Sequence, residues 1–216
     1  MTHPHLRISP LRKIVIAPDS FKESLDAFSV ADAIERGFKT ILPDLDYVKL
    51  PLADGGEGLL RVLLNAHRGK QMTCVCTGPR GEPITATYGL IDNGQTAIIE
   101  TAAVAGLQLL EQQQRDPRYT TSYGVGELIK DALDKGFTRL LIGLGGSASN
   151  DAGAGMLQAL GVRLFDQHGK PLARGGAALA NLARIDVQHL DPRLQSVNID
   201  VACDVSNPLC GRNGAT

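Results

Sequence analysis

LLIGLGGSASNDAGAGMLQAL, Leu140 to Leu160, changes character twice along its length. Leu140–Leu144 is a short apolar run with the length and composition of a buried strand, and Gly145-Gly146-Ser147-Ala148-Ser149-Asn150-Asp151 breaks it. From Ala152 the chain resumes with Met156, Leu157 and Leu160 at helical spacing, and Gly161 supplies a C-terminal stop. Strand, glycine-rich turn and helix in that order place unpaired backbone N–H groups at a helix start, where an anion is favoured. The adjacent glycines allow close approach of a ligand. Ser147, Ser149 and Asn150 add short polar side chains, and Asp151 has the chemistry of a metal ligand or proton acceptor. The same loop also reads as an ordinary connection capped by Asn150 or Asp151, so its weight depends on what other loops resemble it.

Three other places do. Lys13–Ala17 is a strand that passes into Pro18-Asp19-Ser20-Phe21-Lys22-Glu23-Ser24. Ser20 and Glu23 have capping-box spacing, with Ser24 and Asp26 as rival caps. Leu25, Phe28, Ala31, Ile34 and Phe38 form one face of the helix that follows. Lys22 then falls in or beside the first turn, where the helix dipole disfavours a cation unless a phosphate or carboxylate neutralises it. Tyr47–Leu50 is a second strand ending in Asp54-Gly55-Gly56-Glu57-Gly58, before an apolar-faced helix. Asp54 and Glu57 read either as a metal or substrate pair or as a cap and a first-turn carboxylate. Asn198–Cys203 is a further strand, ending at Asp204.

Between these, Met72–Thr77 and Ile84–Ile91 are β-branched and alternating, and Asp92-Asn93-Gly94 is a hairpin signal before Thr96–Glu100. They read as an antiparallel insert, with Glu100 either facing a crevice or lying on an edge. Thr120, Thr121 and Ser122 precede the helix that carries Val125, Leu128, Ile129 and Leu133. Three hydroxyls exceed what capping needs, which points to ligand binding. The expected organisation is a leader (1–12), an α/β portion (13–70), a β-rich insert beginning a second domain (71–115) and a return to α/β structure (116–216).

The whole chain narrows the chemistry. Its 22 basic and 23 acidic residues, with aromatics at only 4%, argue against a nucleic-acid groove or an anionic-membrane patch. No run approaches the roughly 18 apolar residues of a membrane span, and the leader has no apolar signal core. Cys74, Cys76, Cys203 and Cys210 have no zinc-type spacing and read as reduced thiols of a cytoplasmic protein. In an open parallel α/β sheet, loops at strand carboxyl ends surround one crevice. Four such loops of one chemical character point to an anionic ligand with a cation, the setting of phosphoryl transfer with Mg²⁺. No P-loop, protein-kinase signature or dinucleotide fingerprint is present.

The blocks KIVIAPDSFKES (Lys13–Ser24), LPLADGGEG (Leu50–Gly58), TSYGVGELI (Thr121–Ile129), GLGGSASNDAGAGMLQALG (Gly143–Gly161) and ACDVSNPL (Ala202–Leu209) together resemble the glycerate kinase family. The resemblance implies ATP-dependent phosphorylation of D-glycerate, with 2-phosphoglycerate the usual product. It also implies a flavodoxin-like, doubly wound, mostly parallel α/β domain with a second, partly antiparallel domain inserted. Ala152 stands where the family usually has glycine, and Ala105 where it usually has serine. Family members continue past Thr216, so the chain is expected to be C-terminally truncated. A non-catalytic sugar-acid binder and an inactive fragment are the alternatives.

On this reading Gly145, Gly146, Ser147 and Asn150 cradle phosphate. Lys22 is the charge partner of the transferred group or of the substrate carboxylate, and Asp204 is the base. Asp54 or Asp151 holds Mg²⁺, while Asp19, Ser20, Gly55, Gly56, Glu57, Thr121 and Ser122 bind substrate or nucleotide. Lys22→Ala and Asp151→Asn are expected to lower turnover far more than stability. A homodimer is compatible with all of this.

Overall fold

The computed structural model describes residues 11–21, 24–208 and 210–214. These fall into two units, one ending at Ala53 and one beginning at Asp54. The first holds strand β1 (Lys13–Ile16), helix α1 (Ala27–Lys39) and strand β2 (Asp46–Lys49). β1 and β2 pair in parallel, and the ladder continues past them as the Leu52 N–H donates to the Pro18 carbonyl at 2.9 Å. Asp26 wins the capping competition, accepting the N–H groups of Phe28 at 3.0 Å and Ser29 at 3.2 Å. The helix therefore begins at Ala27. Lys22 and Glu23 themselves lie outside the described residues.

The second unit runs α2 (Leu59–His67), β3 (Lys70–Thr77), β4 (Pro83–Ile91), β5 (Thr96–Glu100), α3 (Ala102–Ala105), α4 (Tyr123–Asp134), β6 (Arg139–Gly143), α5 (Ala154–Ala159), β7 (Arg163–Phe165), β8 (Arg184–Asp186) and β9 (Asn198–Ala202). The main sheet has the order β3-β4-β5-β6-β9. Its first two pairings are antiparallel and its last two parallel. The antiparallel reading of β3 to β5 is correct, and Asp92, Asn93 and Gly94 all take positive φ in the connection. The expected boundary at 115 is not a boundary of this sheet, because β5 pairs with β6 as well as β4. The sheet is mixed rather than mostly parallel. The short antiparallel pair β7–β8 was not anticipated: three-residue strands carry too little alternation to register.

β5 shows why the unit holds together. Ala97 and Ile99 point into a cluster with Tyr88, Leu128, Ile129 and Leu140 under α4. Ile98 points the other way, to Leu60 and Ile91 beside α2. Burying an isoleucine fully contributes about 1.5–3 kcal/mol, so a strand covered on both faces anchors both layers. Close helix packing needs glycine at Gly126, where a Cβ would lie 2.3 Å from the Met156 carbonyl oxygen. No helix among the described residues is long and apolar enough to cross a membrane.

The approach to α5 contains Ala152 at φ +50, on the exposed surface. The left-handed region costs an L-residue about 1–2 kcal/mol, which exceeds the roughly 0.4–1 kcal/mol that glycine's freer unfolded chain costs. Ala152→Gly is therefore expected to stabilise the protein by about 0.5–1 kcal/mol, read as a higher urea midpoint.

Candidate functional site

Loops far apart in sequence meet at the carboxyl ends of β6 and β9. Gly143 pairs with Ala202 across the ladder, and the Leu144 N–H donates to the Ala202 carbonyl at 2.9 Å. The Asp54–Gly58 loop lies directly on this junction. A Cβ on Gly145 would stand 2.6 Å from the Gly56 Cα, one on Gly143 2.5 Å from the Gly55 carbonyl oxygen, and one on Gly55 2.9 Å from the Ala202 carbonyl oxygen. Gly55, Gly56, Gly143 and Gly145 thus let backbone approach backbone, where a ligand was expected to be admitted. Asp54 stays exposed, its Oδ1 accepting the Gly56 N–H at 3.0 Å. Glu57 and Asp204, two residues beyond β9, are exposed as well. The structure brings Asp54, Gly55, Gly56 and Gly145 together, with Gly146 and Asp204 next in chain to the junction. Asp19 and Ser20 follow β1 in the first unit, the Ser20 N–H donating to the Asp19 Oδ1 at 2.6 Å.

The helix starts are a different matter. Asp151 is 2% exposed. Its Oδ2 accepts from the Ser122 N–H and the Ser122 hydroxyl, both at 2.9 Å, and from the Gly155 N–H at 3.1 Å. Its Oδ1 accepts the Gly153 N–H at 3.1 Å. Ser122 Oγ in turn accepts the Met156 N–H at 3.0 Å. A carboxylate offers about four lone-pair positions, so Asp151, expected as a metal ligand, is committed to protein donors. The N–H groups at the start of α5, expected to bind an external anion, already have an internal one.

The surplus hydroxyls are used up in the same network. Thr120 Oγ1 donates to the Ala148 carbonyl at 2.7 Å, and Thr121 Oγ1 accepts the Tyr123 N–H at 3.2 Å. Thr121 and Ser122, expected to touch ligand, are buried parts of the scaffold.

Glu100 repeats the arrangement at α2. Neither crevice-facing nor on an edge, its Oε1 accepts the Leu60 N–H at 2.7 Å. Burial pushes its pKa up, the Leu60 and Gly58 N–H groups pull it back, and the neighbouring Glu57 charge adds to the rise.

What remains open is the segment past Gly146. The Leu107 N–H donates to the Gly146 carbonyl at 2.8 Å and the Ala148 N–H to the Ala105 carbonyl at 2.7 Å. Ala105 is fully buried, so its methyl, where the family usually has a hydroxyl, lies in the core. Ser147, Ala148, Ser149 and Asn150 then line a cavity of about 330 Å³ with Leu107, Arg115 and Pro117. Every side-chain polar group in that wall can donate a hydrogen bond, and none is a carboxylate, which suits an oxyanion. Sequence reading missed Arg115. It sits in a polar stretch, and only the fold of residues 105–117 back along the glycine loop carries it there. Among the described residues no three His, Cys, Asp or Glu side chains gather as a metal cage. Mg²⁺ is normally held by one or two carboxylates plus phosphate oxygens and water; Asp54 is an exposed carboxylate at the glycine junction.

Helices on both faces of β5, and glycine-rich loops meeting at parallel strand ends beside a cavity lined by hydrogen-bond donors, define an α/β protein whose polar loops gather where such proteins carry their sites. Residues 14–216 match the sequence model of the Glycerate kinase family, and the chain belongs to that family. It is 59% identical over 204 residues to a Haemophilus influenzae protein named glycerate kinase, covering 94% of this chain and 54% of that one. To the Escherichia coli glycerate 2-kinase it is 53% identical over 204 residues, covering 94% and 54%. A crystal structure from Salmonella typhimurium LT2, described as a glycerate kinase 2, superposes with a TM-score of 0.78 at 55% identity. That match covers 95% of this chain and 55% of the other. The chain spans about half the length of the curated relatives it matches.

Two predictions follow from the buried carboxylates. Asp151→Asn turns a donor toward the donors the carboxylate now satisfies, and is expected to cost about 1–3 kcal/mol in urea unfolding. This reverses the expectation that stability would be spared. Glu100 binds its proton more tightly folded than unfolded, so folding stability falls as pH rises from its ordinary 4.5 through the raised folded value. Glu100→Gln removes that titration. The stability difference, variant minus wild type, is expected to grow in the variant's favour between pH 4.5 and neutrality.

Proposed function

We propose that the protein phosphorylates D-glycerate with ATP, giving 2-phosphoglycerate. The observation that carries this reading is the cavity whose polar side chains, Arg115, Ser147, Ser149 and Asn150, can all donate hydrogen bonds and include no carboxylate, in a chain of the glycerate kinase family. The name of the Escherichia coli relative, glycerate 2-kinase, supports the 2-position. Arg115 and the Gly146–Asn150 segment grip an anionic group of donor or substrate. Asp54, exposed at the glycine junction, supplies the protein ligand for Mg²⁺, which when bound neutralises charge on the phosphates.

Asp204 accepts the hydroxyl proton as the glycerate oxygen bonds to the γ-phosphorus and the bond to the ADP oxygen breaks. Fixed donors at the equatorial oxygens do most of the catalytic work in such a transfer, because the transition state is loose. Glu57 contributes a substrate contact. For the whole enzyme we further infer a flavodoxin-like domain with a second, β-rich domain, acting in the cytoplasm.

The second reading is a sugar-acid binder without transfer, which the same donor-lined cavity would serve. A coupled assay for ADP with D-glycerate and Mg²⁺·ATP separates the two. Glycerate-dependent ADP release is expected, whereas glycerate binding without it selects the binder. Arg115→Gln is expected to raise KM about tenfold or more through a lost charge-assisted hydrogen bond, and Asp54→Asn to raise the Mg²⁺ concentration needed for half-maximal rate. Wild-type kinetics in both variants overturns the assignments.

A further inference from the structure

A groove larger than the cavity beside the glycine loop lies elsewhere in the second unit. It has a volume of about 570 Å³ and is lined by Tyr123, Gln158 and the segments around Arg163–Phe165 and Pro171–Arg174. Its only formal charges are two guanidinium groups, those of Arg163 and Arg174. Neither has a carboxylate partner among the described residues, and no acidic side chain lines the groove.

The nearest carboxylates are already engaged. Asp166 accepts the His168 and Lys170 N–H groups at 2.8 and 2.9 Å, which hold its pKa below the ordinary value. Asp186 pairs with Arg184 at 3.4 Å.

Arg174 is fixed in a useful way. Its guanidinium carbon lies 3.3 Å from the centre of the Tyr123 ring, a cation–π contact that holds the side chain against the ring. A guanidinium held in place presents its donors to an oxyanion with less entropy left to lose. Tyr123 in turn follows Ser122, whose hydroxyl is locked between Asp151 and Met156, so the aromatic platform is rigid. Gln158 donates to the Leu172 carbonyl at 3.3 Å, bracing the opposite wall. The remaining lining is apolar, with Leu164, Phe165 and Leu172 prominent.

We propose that this groove is a second binding site, separate from the donor-lined cavity, which takes a phosphate monoester carrying a flat or apolar body. Charge sets the head group: two unpaired guanidiniums match a phosphate monoester of charge about −1.5 to −2 at neutral pH. The volume falls within the range of small-molecule pockets, and the apolar floor offers burial to a body that inorganic phosphate lacks. The site does not depend on the reaction proposed above.

The test is an NMR titration of the full chain with three probes: inorganic phosphate, phenyl phosphate and 2-phosphoglycerate. Phenyl phosphate is expected to shift the amides of Gln158, Leu164 and Leu172, with a Kd about tenfold or more below that of inorganic phosphate, because burial of the ring adds to the shared head-group contact. Binding of 2-phosphoglycerate at the same amides tighter than that of phenyl phosphate overturns the flat or apolar body and makes charge alone the determinant. Weak binding there assigns the groove to a different, flat-bodied metabolite. Arg163→Gln with Arg174→Gln should weaken phenyl phosphate about tenfold or more. Arg163→Gln alone, at an exposed position without an ion pair, gives a folded control that should show part of the loss. Shifts confined to Ser147–Asn150, or an unchanged Kd in both variants, overturn the proposal.

Discussion

One buried carboxylate determines how the glycine-rich segment sits. Asp151 is removed from water, and removing a charge from water is tolerated only when the lost hydration is replaced by fixed donors. Ser122, Gly153 and Gly155 supply them. The result fastens the start of α5 to the start of α4 at a single point, and the Thr120 bond to the Ala148 carbonyl adds a second tie between the same segments. The Gly145–Asn150 segment is held at one end by this network and at the other by its pairing with β9 and its contact with the Asp54–Gly58 loop.

The same economy appears at α2, where Glu100 occupies the N–H groups of the helix start. A helix N-terminus favours negative charge, but it does not matter to the dipole whether that charge is a ligand or a side chain. In this protein both relevant helix starts are filled from within. The cavity lined by Arg115 and Ser147–Asn150 and the groove of Arg163 and Arg174, to which we assign external anions, offer side-chain donors instead.

The strands at the core were legible because their patterns are local. Ile98 and Ile99 lie in a short continuous apolar run, as a strand covered on both faces must, and Asp92-Asn93-Gly94 has the chemistry of its turn. The glycine loops were also found, and their convergence on β6 and β9 was anticipated from the rule that ligand loops gather at strand carboxyl ends. Their purpose was misread. Glycine signals close approach but not what approaches, and at Gly55, Gly56 and Gly145 it is another stretch of backbone. The roles of Asp151, Thr121 and Ser122 were misread for a related reason: a short polar side chain ahead of a helix has the same sequence signature whether it faces solvent, ligand or core.

The sequence by itself determined the alternation of strands and helices, the turn chemistry between β4 and β5, the family, and the set of loops that carry polar and glycine residues. These follow from periodicity, backbone preference and motif order, which act over a few residues at a time. Tertiary structure alone decided that β5 joins the antiparallel and parallel halves into one sheet. It also decided that Asp151 and Glu100 neutralise helix starts from inside, that Arg115 lies beside the Ser147–Asn150 segment, and that no carboxylate lines the groove of Arg163 and Arg174. Burial and pairing of a charge depend on residues 29 or 40 positions away along the chain; no local pattern encodes that separation.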